Sequence, residues 1–265
     1  MEIYHEIWPV DEERGSIVIV HGAGEYFVRY HWLVQQLNEA GYSVFGGDLP
    51  GLGRTKGRKG HIERFEAYYA AVDTWIERAS KRKRPLFLLG HSMGGLIVAR
   101  YAEAVHPDVD GIILSSPCFG LSRNISPALE GIASILNRIT PAFRLSAGIK
   151  AGDVSRDQTV TLRYTEDPHI TTKVSVRWYK ELQKAMRLAK EEIEDYPDVP
   201  TLVMQAGADR IVSPTTTKLW MDSLPISCKR YVEWPDCYHE IFNEPEKNEV
   251  INTLLQWMQT VKFDE

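Results

Sequence analysis

The chain has 265 residues, 43% of them hydrophobic and 25% charged, which is the composition of an ordinary globular protein. It excludes a wholly disordered or fibrous chain, and the length allows one large domain or two small ones. The formal net charge of −5 at pH 7 is unfavourable for general nucleic-acid binding, which depends on a basic surface.

The chain has neither a membrane-span pattern nor a disulfide pattern. No apolar run approaches the roughly 18 residues of a membrane span. Residues 1–8 lack the basic start and apolar stretch of a secretion signal, so we expect a cytoplasmic protein. The three cysteines, Cys118, Cys228 and Cys237, form no disulfide framework and no CxxC motif, so we expect no zinc site built on thiolates.

Strand and helix patterns alternate through the first half of the chain. Strands are predicted at residues 2–8, 16–20, 42–45, 85–89 and 111–115, the first as an edge strand. Helices are predicted at residues 30–40, 61–80 and 93–105. Strands that alternate with helices indicate an α/β fold with a mostly parallel central sheet covered on both faces.

The alternation stops between residues 119 and 198. Apolar stripes at helical spacing run through residues 129–139 and 174–190, and a segment of this length is too long for a connector. We predict a helical cap at 119–198, inserted after the sixth strand into a core formed by 1–118 and 199–265. The stripes either pack on that core or line a tunnel for an apolar substrate.

The strand pattern returns after the insertion. Strands are predicted at 201–205 and 229–234, followed by helices at 214–223 and 245–261. These elements extend the parallel sheet and place two more strand ends at its carboxyl-terminal edge.

The motif G-x-S-x-G occurs at residues 90–94, between a predicted strand and a predicted helix. Glycines permit a tight turn there, and the serine then lies at a helix N-terminus, where free N–H groups favour an oxyanion. We therefore predict Ser92 as a nucleophile. The alternative is a serine that only caps the helix.

A serine nucleophile needs a base and an orienting carboxylate, in the chain order serine, acid, histidine for this architecture. His239 follows the last predicted strand, and Asp209 follows the strand before it, so both belong at the same sheet edge as Ser92. We predict His239 as the base and Asp209 as the acid. The competing acids lie at less suitable places in the pattern: Asp195, Asp198 and Asp236.

The tetrahedral intermediate of acyl transfer needs two N–H donors. Met93 follows the nucleophile, and Ala23 lies in the glycine-containing loop after the strand at 16–20. We predict that the backbone N–H groups of Ala23 and Met93 form the oxyanion hole. The neighbouring histidines, His21 and His91, are expected to shape the backbone of these turns.

Four blocks of the sequence together resemble the α/β-hydrolase superfamily, and more narrowly its monoacylglycerol lipase and lysophospholipase group. They lie at residues 21–25 with 29–30, 48–53 with 60–61, 90–95, and 207–209 with 239–244. One departure is Leu52, which stands where this group usually has a histidine between two glycines. That position is outside the triad, so the departure concerns the local loop and the substrate preference.

The resemblance implies a serine hydrolase that cleaves esters of one long or medium acyl chain, with monoacylglycerol as the leading substrate and no metal or cofactor. It also implies transient contact of the cap with a membrane surface. A lysophospholipid or a general carboxylic ester is the nearest alternative. A peptidase and a non-catalytic small-molecule receptor on the same fold are more distant ones, and acyl-chain length and oligomeric state stay open.

Two further patterns carry less weight. Residues 51–57 are glycine-rich but match neither phosphate-loop pattern, and no H-E-x-x-H metal motif occurs. The basic run at 81–84 follows a predicted helix, so it is either a solvated helix end or a contact for anionic lipid headgroups.

Overall fold

A computed structural model describes residues 2–82, 84–123 and 126–262. Within these ranges the strands are β1 (His5–Trp8), β2 (Gly15–Val20), β3 (Tyr42–Gly47), β4 (Leu86–His91), β5 (Gly111–Ser115), β6 (Arg144–Ser146), β7 (Lys173–Ser175), β8 (Thr201–Ala206) and β9 (Lys229–Trp234). The helices are α1 (His31–Glu39), α2 (Ala67–Ala79), α3 (Met93–Val105), α4 (Pro127–Ile139), α5 (Ala151–Val154), α6 (Gln158–Glu166), α7 (Val176–Glu191), α8 (Pro214–Ser223) and α9 (Lys247–Met258).

The main sheet contains seven of the described strands, in the order β1-β3-β2-β4-β5-β8-β9. The first strand, β1, runs antiparallel to β3, and the other neighbouring strands are parallel. The central strand is β4, which ends at His91, so the predicted nucleophile lies at the middle of the carboxyl-terminal edge. The predicted α/β-hydrolase fold is confirmed.

Alternate residues of the buried strands feed two separate apolar cores. Val18 of β2 belongs to a core that contains Trp75 of α2 and Leu96 of α3. Its neighbour Ile17 belongs to the core on the other face, which contains residues of α1 and α9. Both faces of the sheet are therefore covered, as the continuous apolar runs predict.

The insertion follows β5, which is the fifth described strand. We expected it after the sixth strand. The number differs because β1 is the single described strand before β2, the first of the parallel strands. It contains α4 to α7 and a small antiparallel ribbon formed by β6 and β7, which the helical patterns did not predict. Helix α7 buries Trp178 and Leu182 in the core that also holds α2 and α3. Each helix in the described part of the chain is too short or too polar to span a lipid bilayer.

Helix α2 starts at Ala67, later than the predicted residue 61. The segment before it bonds to the insertion instead: the His61 ring lies 2.7 Å from the Ser175 hydroxyl, and the Phe65 N–H donates to the Glu181 carboxylate. These tertiary contacts hold residues 61–66 in turns.

The described residues of the basic run pair with acidic side chains at the end of the sheet opposite Ser92. Arg84 binds Asp108 and Asp110, which lie just before β5. Arg82 pairs with Glu13. Lys83 lies outside the described residues. These partners favour the interpretation of a structural, solvated run over a lipid contact.

Candidate active site

Ser92 occupies a sharp turn between β4 and α3. Its φ of 55° lies in the left-handed region, which a serine adopts only when its surroundings enforce it. The Ser92 N–H donates to the Ser115 carbonyl at 2.9 Å, and the Ser92 carbonyl accepts the N–H of Cys118 at 3.0 Å. A Cβ atom on Gly94 would lie 2.1 Å from the Val20 carbonyl oxygen, so only glycine fits this approach.

His239 and Asp209 form a buried hydrogen-bonded pair. The Nδ1 atom of His239 lies 2.7 Å from Oδ2 of Asp209. The other carboxylate oxygen accepts the N–H groups of Ile211 and Val212 at 2.8 and 3.0 Å, which fixes the acid in place. Burial opposes the charged imidazole, but the Asp209 carboxylate, helped by Glu240 and Glu25, outweighs this effect and raises the pKa of His239 above its ordinary value.

Ser92 and His239 line the same cavity, which Ile149, Val154 and Ile211 also line. The ring of His91, next to the nucleophile, lies 4.8 Å from the His239 ring. Within the described ranges, the Ser92 hydroxyl has no hydrogen-bond partner. Catalytic hydrogen bonds are often long before substrate binds and shorten in the complex.

The loop after β2 is held from inside the molecule. Glu25 accepts the Gly22 N–H at 2.6 Å. His21 accepts the Leu49 N–H at its Nε2 atom, so its Nδ1 atom carries the proton and donates to the Gly22 carbonyl at 2.9 Å. His21 thus shapes the backbone as expected. The N–H groups of Ala23 and Met93 have no acceptor among the described residues.

The loop that contains Leu52 is built around Asp48. The Asp48 carboxylate accepts the N–H groups of Phe27 and Arg54 at 2.8 and 2.6 Å. Leu52 itself is fully buried in the apolar core. The departure from the family pattern therefore replaces a polar ring with an apolar contact.

A buried charge cluster beside the cavity escaped the sequence analysis. Arg29 donates both to Glu25, at 3.2 Å, and to Glu240, at 2.6 and 2.7 Å. Tyr30 also donates to Glu25, at 2.6 Å. Burial raises the pKa of Glu240 against the opposing effect of Arg29. A carboxylate three residues after Gly22 can accept the Gly22 N–H. This spacing is the local sequence signal that indicates the role of Glu25.

The described residues bring one group of potential metal ligands together. Atoms of Cys237, Glu244 and Glu246 lie within 4.8 Å of one another. Arg156 donates to both glutamates. Its positive charge disfavours a cation at this place.

The chain matches known proteins over nearly its whole length. A family model described as serine aminopeptidase, S33, matches residues 11–246. The protein named phospholipase YtpA of Bacillus subtilis is 43% identical over 92% of this chain and 94% of its own length. Monoacylglycerol lipase of Mycolicibacterium smegmatis is 27% identical over 97% of this chain and 93% of its own.

A solved structure gives the same picture. The monoacylglycerol lipase of Paleococcus ferrophilus superimposes with a TM-score of 0.89 at 34% identity, over 97% of this chain and 98% of the other. At this similarity the shared fold extends to the insertion and to the sheet edge where Ser92 lies.

Proposed function

The chain belongs to the serine aminopeptidase S33 family of α/β-hydrolases, with lipolytic relatives, and we propose that it hydrolyses single-chain lipid esters, monoacylglycerols first. The observation that carries this proposal is the site geometry: a strained serine shares a cavity with a histidine that an aspartate orients. Buried side chains in this arrangement serve acyl transfer in many hydrolases. The carboxylic ester hydrolase class follows from the family together with its lipolytic relatives, and the substrate and residue roles are the proposal.

In this mechanism Ser92 attacks the ester carbonyl while His239 takes the hydroxyl proton. The N–H groups of Ala23 and Met93 bind the oxyanion of the tetrahedral intermediate. Asp209 holds the imidazole and stabilises its charged form. His239 then gives the proton to the leaving alcohol, and a water, activated by the same histidine, releases the fatty acid.

The walls of the cavity support a slender substrate with a polar end. Three aliphatic side chains offer contact to one acyl chain. Tyr164 lines the same cavity, and the Arg29 guanidinium lies 5.0 Å from its ring centroid. The Tyr164 hydroxyl has no hydrogen-bond partner within the described part of the chain, so it can bind the alcohol portion of a substrate.

A lysophospholipid is the second candidate, because the 43% identical relative is named a phospholipase. A peptide is a weaker candidate despite the name of the family model, since an acidic anchor for a substrate amine must be free. The two carboxylates among the described residues that line the cavity, Glu25 and Glu240, both bind Arg29.

Cap contact with a lipid surface is part of the proposal. The apolar side chains of α4 face solvent, with exposed fractions of 58% for Leu129, 53% for Ile132, 60% for Ile135 and 76% for Ile139. An exposed apolar face of this kind suits a lipid surface, where substrates with one acyl chain reside. The exposed Arg138 adds attraction to anionic headgroups.

The test compares Ser92→Ala with a matched control, Ser223→Ala, which removes an exposed hydroxyl from α8. Both are assayed with a monoacylglycerol and a lysophosphatidylcholine of the same acyl chain. We expect the first variant to lose activity by about 10³-fold or more, and the control to keep it. Turnover that survives in Ser92→Ala would refute the mechanism, and a preference for the phosphocholine substrate would favour the second candidate.

A further inference from the structure

One segment of the insertion, residues 167–171, lies directly against the loop that carries Ala23. The Thr171 N–H donates to the Gly24 carbonyl at 2.7 Å. The Tyr26 hydroxyl donates to Oδ2 of Asp167 at 2.7 Å. These two contacts fall on either side of Glu25, the residue that holds the Gly22 N–H from within.

Gly24 shows how closely the insertion approaches this loop. Its φ is +75°, and a Cβ atom there would lie 2.7 Å from the Thr171 carbonyl oxygen. The next part of the insertion makes the same kind of contact with Gly60, where a Cβ atom would lie 2.1 Å from the Lys173 carbonyl oxygen. The Ser175 N–H donates to the Gly60 carbonyl at 2.7 Å. Residues 167–175 therefore contact the core mainly at the backbone of Gly24 and Gly60.

Asp167 is itself a fixed anchor. Its second carboxylate oxygen accepts the His169 N–H at 2.8 Å, so one side chain closes the turn of the segment and binds Tyr26. The Tyr26 ring also packs beside the His169 ring at a centroid distance of 5.3 Å. Tyr26 is buried, and that burial together with Asp167 raises its pKa to about 12, which keeps the hydroxyl a neutral donor.

We propose that Tyr26 and Asp167 are positioning residues that let the cap hold the Ala23 N–H in place for the oxyanion. This inference rests on the proposed ester hydrolysis, and it adds that the cap forms part of the catalytic scaffold. The loop is clamped between Glu25 on the inside and residues 167–171 on the outside. Loss of the contact with residues 167–171 leaves substrate binding intact but allows the Ala23 N–H to move. A displacement of about 1 Å at a reacting centre can cost about a hundredfold in rate.

The experiment uses the full-length variants Tyr26→Phe and Asp167→Ala, with Asp167→Asn as the conservative form that keeps a hydrogen-bond acceptor. The matched control is Tyr101→Phe, which removes another tyrosine–aspartate hydrogen bond, to Asp73, on a different part of the core. We expect kcat to fall about tenfold in Tyr26→Phe and Asp167→Ala, with KM nearly unchanged. Asp167→Asn should restore part of the rate.

A transition-state analogue separates positioning from a general loss of structure. An alkyl trifluoromethyl ketone adds the Ser92 oxygen to its carbonyl carbon, the proton passes to His239, and the resulting oxyanion occupies the proposed hole. Its inhibition constant should rise by the same factor by which kcat/KM falls, while the affinity for a non-hydrolysable ether analogue stays constant.

Full kcat in Tyr26→Phe and Asp167→Ala overturns the inference, and so does an equal loss of affinity for the ketone and the ether analogue. Ester hydrolysis by the wild-type protein separates failure of the proposed function from failure of the positioning role. If the wild type hydrolyses no ester, the proposed function fails; if it does and the variants match it, only the positioning role fails.

Discussion

Asp209 is the residue that raises the pKa of His239 most strongly. It binds the Nδ1 atom of His239 at 2.7 Å in a buried place, where burial alone favours the neutral imidazole. The Asp209 carboxylate, with smaller contributions from Glu240 and Glu25, reverses that balance and raises the pKa of His239. A base must be unprotonated to accept the Ser92 proton, so activity rises as pH increases through this pKa.

Replacement of the acid makes a pH prediction with a definite sign. In the wild type the acid limb of kcat/KM should lie above pH 6.5, the ordinary pKa of the imidazole. In Asp209→Asn burial persists without the carboxylate, so the limb should move to lower pH while kcat falls by about 10⁴-fold. Rate profiles from pH 5 to 9 with a nitrophenyl ester measure both effects.

The matched control is Asp222→Asn, an exposed aspartate that pairs with Lys218 on α8. Its profile should coincide with that of the wild type. An Asp209→Asn profile with an unmoved acid limb would show that another group sets the proton affinity of the base.

Position at a strand end was enough to nominate individual residues, because parallel strands end at one edge of the sheet. This rule predicts Ser92, Asp209 and His239, and their catalytic roles stay predictions. The Arg29–Glu240 pair could not be chosen in the same way, since it joins residues 211 positions apart in the chain. No local pattern specifies such a contact.

At the scale of elements, periodicity predicted which side chains share a helix face but not what covers that face. The stripe on α7 is buried against α2 and α3, whereas the equally apolar stripe on α4 is exposed. The three-residue strands β6 and β7 are too short to give a sequence pattern, and they depend on pairing with each other. The parallel strands were predictable because each is a continuous apolar run buried on both faces.

The exposed apolar face of helix α4 gives a prediction about lipid binding. Ile135→Glu places a charge on the exposed apolar face, so binding to vesicles that contain a monoacylglycerol should weaken by about tenfold or more. Hydrolysis of a short, water-soluble ester should stay unchanged, because none of the described residues that line the cavity around Ser92 belongs to α4. Sedimentation with vesicles and a parallel esterase assay measure the two properties.

The control introduces the same charge on the opposite side of the helix. Ser134→Glu changes an exposed serine whose hydroxyl donates to the Glu130 carbonyl of its own helix. Equal vesicle binding by both variants and the wild type would remove α4 from the membrane contact.

For the whole molecule, the question is whether the insertion is a separate folding unit. The predicted boundary at 119–198 divides the sequence by pattern, and it stays a prediction. The packing points to a single unit, because the Trp178 indole N–H donates to the Tyr68 hydroxyl of α2 at 2.8 Å. Glu192, the residue that follows α7, binds Arg100 of α3. The core therefore continues across the boundary.

Two leucines of the insertion test this continuity. Leu182 is buried in the shared core, whereas Leu129 is 58% exposed. Leu182→Ala should lower the free energy of unfolding of the entire protein by about 2–5 kcal/mol, and Leu129→Ala by less than about 0.5 kcal/mol. Urea unfolding followed by tryptophan fluorescence and by far-ultraviolet circular dichroism should give one coincident transition in each case. If Leu182→Ala instead produces an early transition confined to part of the signal, the insertion unfolds by itself, and its seat on residues 22–26 is a contact between two independent units.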